Sequence, residues 1–123
     1  MKHSLKSLQI TQEISDKIHN QTMHHHYHIL YDIDQTFDKD YFLKYVEIGC
    51  YAGGSACLML QRPKTNVTSI DLGRPIPSSV VWSNVKNLTK HPTTQFQYLE
   101  GNSQSKEMVE RLKEITQEID ILF

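Results

Sequence analysis

From Tyr45 onward the chain alternates short apolar runs with turn signals and longer helical patterns, and this alternation constrains its fold more than any other feature. Such a texture is the signature of βαβ units on a parallel sheet, because each buried strand needs a helix to carry the chain back across a face. Tyr45 to Ile48 is predicted as the first strand, stopped by Gly49. A helix is predicted from about Gly54 through the apolar string Ala56 to Leu60, and Pro63 forbids its continuation. Val67 to Ile70 gives a second strand with Asp71 at its carboxyl end, followed by the turn segment Gly73 to Pro77. Ser79 is predicted to cap a second helix with Val81, Val85 and Leu88 on one face, closed by His91-Pro92. Phe96 to Leu99 reads as the third strand, Ser105 as the cap of a third helix striped by Met108, Leu112 and Ile115, and Ile119 to Phe123 as a fourth strand. The fold class is therefore α/β, a Rossmann-like parallel sheet with flanking helices.

Residues 1–44 differ in texture. They are polar, with Ile10, Ile14 and Ile18 spaced by four, and are expected to form a helical leader ahead of a domain spanning 45–123. The cluster His24, His25, His26 and His28 has a spacing that could bring two imidazoles onto one helical face and so to zinc or nickel. A polar helix over the ligand crevice, with Tyr27 and Tyr31 contributing, or a solvated segment, is the preferred reading, and no metal is assigned.

With 13 basic and 14 acidic residues the net charge is -1, which leaves no electrostatic footprint for nucleic acid or an anionic membrane surface. No apolar stretch approaches the roughly 20 residues of a spanning helix, and the first ten residues lack a secretory pattern, so a cytoplasmic location is expected. Cys50 and Cys57 have no C-x-x-C spacing and are expected to be free thiols.

Three strand ends carry the chemistry. The segment Glu47 to Ser55 joins a strand to a helix through Gly49, Gly53 and Gly54, residues that let backbone approach a ligand closely, while a helix start offers N–H groups to an anion. Asp71, at the end of the next strand, stands where a carboxylate can accept the hydroxyl protons of a nucleoside sugar. Gly101, Asn102, Ser103 and Gln104 follow the third strand, and polar side chains there could read an adenine edge. Each element alone also serves as an ordinary turn or cap. Trp82, set beside Val81 and Val85, reads as a packing residue, whereas Tyr51 stands between two loop glycines as a candidate ligand contact.

Taken together, the pattern of Glu47, Gly49, Gly53 and Ser55, the acid Asp71, the run Gly101 to Gln104 and the final strand Ile119 to Phe123 resemble the class I S-adenosylmethionine-dependent methyltransferases. The likeness lies with the branch of catechol O-methyltransferase-like and cephalosporin-hydroxylase-like proteins and covers roughly Tyr45 to Phe123. It implies that Glu47 and Gly49 line the methionine part of S-adenosylmethionine, that Ser55 holds its carboxylate, that Asp71 holds the ribose, and that Ser103 and Gln104 border the adenine. Tyr51 marks a departure from the commoner G-x-G-x-G loop, and the absence of G-x-G-x-x-G disfavours a nicotinamide dinucleotide.

In that family the catalytic or metal-binding acid follows the fourth strand. The resemblance thus implies the N-terminal half of the fold, truncated at Phe123, with no catalytic residue and no divalent metal assignable. The expected function is methyl transfer to an unidentified small-molecule acceptor. The alternative is a non-catalytic domain that binds S-adenosylmethionine or another adenosine ligand. A sheet ending at such a strand is also expected to self-associate through its exposed edge.

Overall fold

The computed structural model describes residues 5–18, 26–89 and 95–123. Along the chain the elements are α1 (Leu5–Lys17), α2 (His26–Asp34), β1 (Leu43–Ile48), α3 (Gly54–Met59), β2 (Thr65–Asp71), α4 (Ser78–Leu88), β3 (Gln95–Glu100), α5 (Lys106–Ile115) and β4 (Ile121–Leu122). The four strands form one all-parallel sheet in the order β3-β2-β1-β4. Val46 lies opposite both Thr68 and Leu122, which sets the register across the centre. The chain winds from β1 outward to β3 and then returns to the far side of β1. Strand order therefore reverses at β1, and in open α/β sheets the ligand crevice lies outside the carboxyl ends at such a reversal.

Helices cover both faces of the sheet, so β1 is buried nearly throughout rather than alternating with solvent. On one face Leu43, Tyr45 and Val67 pack with Ala56, Leu58 and Leu60 around α3 and with Val81, Val85 and Leu88 of α4. On the other, Val46, Ile70 and Leu99 pack against Met108 of α5, with Leu112 and Ile115 alongside. Strand and helix positions follow the sequence expectation, with the first three strands one or two residues longer at their ends and the fourth, expected over Ile119 to Phe123, reduced to Ile121–Leu122. Ser105 caps α5 as expected, its hydroxyl accepting the Met108 N–H at 3.1 Å. Ser79 does not cap α4. The helix begins at Ser78 directly after Pro77, whose extended backbone (φ -72°, ψ 156°) occupies the cap position and leaves Ser79 inside the first turn. His91 and Pro92 lie outside the described residues.

The N-terminal helices are built into this core. Ile14, Ile18, Leu30 and Tyr31 join the cluster on the α3 face, which is the structural consequence of the isoleucine spacing. Arg62, only 5% exposed, fixes the join at the amino ends of the strands. Its guanidinium donates to the carbonyls of Asp34 (3.3 Å), Tyr41 (2.9 Å) and Lys64 (3.2 Å), to that of Asp38, and to the Asp34 carboxylate (3.4 Å). Burial pushes the Asp34 carboxyl above its ordinary value, although Arg62 pulls in the other direction. Of the histidine cluster, His24 and His25 lie outside the described residues, while His28 sits in α2. Among the described residues no group of three or more His, Cys, Asp or Glu is arranged to hold a metal, and no helix is long and apolar enough to cross a membrane.

Candidate functional site

The loop after β1 turns sharply through three left-handed residues, Gly49 (φ 82°), Tyr51 (φ 52°) and Gly53 (φ 96°). Backbone bonds close it: the Gly49 N–H reaches the Ile70 carbonyl at 2.7 Å and the Gly53 N–H reaches that of Cys50 at 2.8 Å. Asp71 then ties the loop to the end of β2. Its Oδ2 accepts the N–H of Cys50 (2.8 Å) and of Tyr51 (3.3 Å), and its Oδ1 accepts the N–H of Gly73 (2.8 Å). The Asp71 carbonyl in turn accepts the Gly101 N–H at 2.8 Å, so the ends of β1, β2 and β3 are laced together.

Between these strand ends lies a cleft of about 240 Å³. Gly49, Asp71 and Ser103 line it, together with Ile48, Leu72, Arg74, Gly101 and Asn102. A Cβ placed on Gly49 would meet no heavy atom within 4 Å, so the backbone there faces open space. Ile48 and Leu72 are each 54% exposed, an unusual exposure for large aliphatic side chains at strand ends. Arg74 is exposed and has no acidic partner among the described residues. The cleft thus offers a carboxylate, a cation, glycine backbone facing open space and two apolar surfaces within one small volume.

The structure separates the eight sequence-derived candidates. Gly49, Asp71 and Ser103 come together on the cleft wall. Glu47 does not reach it: the side chain is fully buried beneath the loop, where its carboxylate accepts the hydroxyls of Tyr45 (3.2 Å), Ser69 (2.7 Å) and Ser55. Burial pushes its carboxyl up to about 7, with the hydroxyl bonds partly offsetting that rise. Ser55 is committed to this network, and all six residues of α3 are buried. Gly53 packs beside Val81: a Cβ placed on it would come within 3.2 Å of the valine methyl. Tyr51 is 46% exposed and Gln104 is exposed with its N–H bonded to the Asn102 side chain at 2.9 Å, and neither lines the cleft.

Ile48, Leu72 and Arg74 were missed by motif reasoning; their signal is position, since Ile48 ends β1 and Leu72 and Arg74 follow β2 within three residues. Trp82 is half exposed yet packs edge-on against Phe96 with ring centroids 4.9 Å apart, in keeping with a packing role. Both cysteines are free and buried. Burial raises the Cys50 thiol, aided by Glu47 and Asp71, and pushes the Cys57 thiol up to about 12, so neither is poised as a nucleophile.

A slightly larger cavity, about 270 Å³, opens at the opposite end of the sheet beside Tyr31, Asp34 and Arg62. There the buried charges satisfy one another, as the Arg62 bonds show. The carboxyl-end cleft is the better site because its groups converge from three separate strands onto open space.

No family model matches the chain. A stretch of 68 residues, 54% of the chain, is 43% identical to uncharacterized protein R132 of Acanthamoeba polyphaga mimivirus. That stretch covers 30% of the viral protein, so the chain matches less than a third of its relative's length.

Proposed function

We propose that the cleft binds the nucleoside part of S-adenosylmethionine and that the chain is the cofactor-binding part of a class I methyltransferase acting on a small molecule in the cytoplasm. The observation that carries this reading is the convergence of Gly49, Asp71 and Ser103 on one cleft beside the reversal of strand order. The volume of about 240 Å³ lies below the roughly 300–1,000 Å³ of sites that enclose a whole drug-sized ligand. It suits the nucleoside half of the cofactor. The open space above Gly49 fits a group that approaches backbone closely.

In this reading Asp71 accepts a ribose hydroxyl proton, Ile48 and Leu72 flank the base, and Ser103, with Gln104 following it, borders the base edge. Glu47 and Ser55 act from beneath, holding the loop in shape, and are positioning residues. S-adenosylmethionine, when bound, supplies an electrophilic sulfonium methyl for attack by an acceptor O, N or C atom. The chain's own contribution is orientation of that group relative to the acceptor, a large term in bimolecular reactions.

Titration of the isotope-labelled chain with S-adenosylhomocysteine, followed by backbone amide NMR, tests the reading. Shifts centred on Gly49, Leu72, Gly101 and Ser103 support it. Shifts confined to the Tyr31–Arg62 end, or none in a folded chain, remove it. Binding of adenosine without S-adenosylhomocysteine supports the second reading, an adenosine-ligand domain without methyl transfer.

A further inference from the structure

The cavity of about 270 Å³ at the amino ends of the strands is walled by three separate stretches of chain. From α1 come Lys6 and Ile10, four residues apart and so on one helical face. The end of α2 and the turn after it bring Tyr31, Asp34 and Lys39, and the segment after α3 brings Arg62 and Pro63.

Tyr31 is 6% exposed, yet its hydroxyl has no hydrogen bond to any described residue. Burial, with Asp34 and Asp32 adding to it, pushes the phenol above its ordinary value, so the group stays a donor. Buried polar groups are as a rule hydrogen-bonded, and this one calls for an acceptor from outside the chain. Charge in the wall is also unbalanced. Asp34 is the one acid among the described residues that line the cavity, and its carboxylate is held by Arg62 at 3.4 Å and by the Gln35 amide at 2.8 Å. Arg62 and Asp34 offset each other. Lys6 and Lys39 are left over, with no ion pair or hydrogen bond to another described residue. Ile10, Pro63 and the Tyr31 ring add apolar wall.

We infer that this cavity is a second binding site, for a small organic anion whose carboxylate or phosphate head is held by Lys6, Lys39 and the Tyr31 hydroxyl and whose apolar body packs against Ile10 and Pro63. The volume lies just below that of sites enclosing drug-sized ligands, which sets the size of the occupant at about one ring. Because the wall draws on α1, α2 and the segment after α3, an occupant ties the N-terminal helices to the core and stabilises their docking by mass action. The inference goes beyond the nucleoside reading of the carboxyl-end cleft and does not depend on it.

The test titrates the whole chain with benzoate and with phenyl phosphate, and with benzyl alcohol as their neutral counterpart, followed by backbone amide NMR. The expected result is saturable shifts at Ile10, Tyr31, Gln35 and Lys39 with at least one anion, which binds about tenfold or more tightly than the alcohol, the scale of a hydrogen bond to a charged group. The better anion identifies the head group. Tyr31→Phe, which keeps the ring, and Lys6→Gln and Lys39→Gln, at exposed positions, are each expected to weaken that anion, while binding of benzyl alcohol stays level. Equal binding of anion and alcohol means an apolar hollow only and overturns the inference. So does anion binding that all three variants leave unchanged, or shifts that never saturate and spread over surface lysines. Absence of shifts at this end of a folded chain at millimolar anion overturns it as well, whatever S-adenosylhomocysteine does at the other end.

Discussion

The Asp71 carboxylate accepts the backbone N–H of Cys50 at 2.8 Å across the gap between the ends of β2 and β1. The residue proposed to read the ligand is therefore also the residue that holds the loop walling the cleft. Replacing Asp71 with Ala removes the acceptor of three backbone N–H groups. The expected cost is about 2–4 kcal/mol, since leaving donors unsatisfied costs more than a bond contributes. Amide hydrogen exchange at Cys50, Tyr51 and Gly73 is expected to accelerate, while amides in the centre of β1 and β2 change only with global stability. Unchanged protection at Cys50 would show that Asp71 does not hold the loop.

Glu47 makes the fold pH-dependent in a defined direction. Its carboxyl is raised from 4.5 to about 7 in the folded chain, chiefly by burial. The folded state therefore binds a proton more tightly than the unfolded state, and the stability associated with the protonated group is fully present below about 4.5. It is lost as pH rises through about 7, a loss on the order of 3 kcal/mol. Glu47→Gln removes this titration. The stability of the wild type relative to Glu47→Gln, measured by urea unfolding, is expected to fall between pH 4.5 and 7.5; a difference that stays level, or rises, contradicts the account.

Arg62 carries the docking of the N-terminal helices. Arg62→Ala leaves the Asp34 carboxylate buried without its cation and four carbonyl groups without their donor. A destabilisation of about 3–5 kcal/mol is expected. Arg62→Lys is expected to recover little of it, because a single ammonium cannot span the carbonyls that the planar guanidinium reaches. Rescue to wild-type stability by lysine in denaturant melts would show that charge, not the fork geometry, is what matters.

The free edge of β4 bears on association. Among the described residues β4 pairs with β1 alone, and its Leu122 is 63% exposed beside Phe123 at 42%. An exposed apolar edge strand invites pairing with another chain. Light scattering at increasing concentration is expected to show species above the 14.3 kDa monomer, and Leu122→Lys to suppress them. A strictly monomeric wild type would exclude association through this edge.

The strand and helix layout was legible because β1, β2 and β3 are short apolar runs with marked stops, and because Ser105 and Pro63 act through local chemistry visible in a few neighbouring residues. The acid at the end of β2 and the glycine loop were legible for the same reason, and the structure places Gly49 and Asp71 together on the cleft. Glu47 was harder to place. A glutamate in a ligand motif reads as a ligand contact, yet it lies two residues after Tyr45 and therefore shares that residue's buried face; strand parity held the answer. The docking of α1 and α2 was not legible, since Arg62 gathers carbonyls of residues distant in sequence and carbonyls carry no sequence signal. Leu72 and Arg74 acquire meaning only from a cleft assembled by three strands.

The most direct measurement is isothermal titration of the chain with S-adenosylhomocysteine, run beside Asp71→Ala under conditions in which circular dichroism shows both to be folded. One site per chain is expected for the wild type, with binding weakened by about tenfold or more in the variant, the scale of a hydrogen bond to a charged group. No heat of binding in the folded wild type, or equal binding by Asp71→Ala, would contradict it.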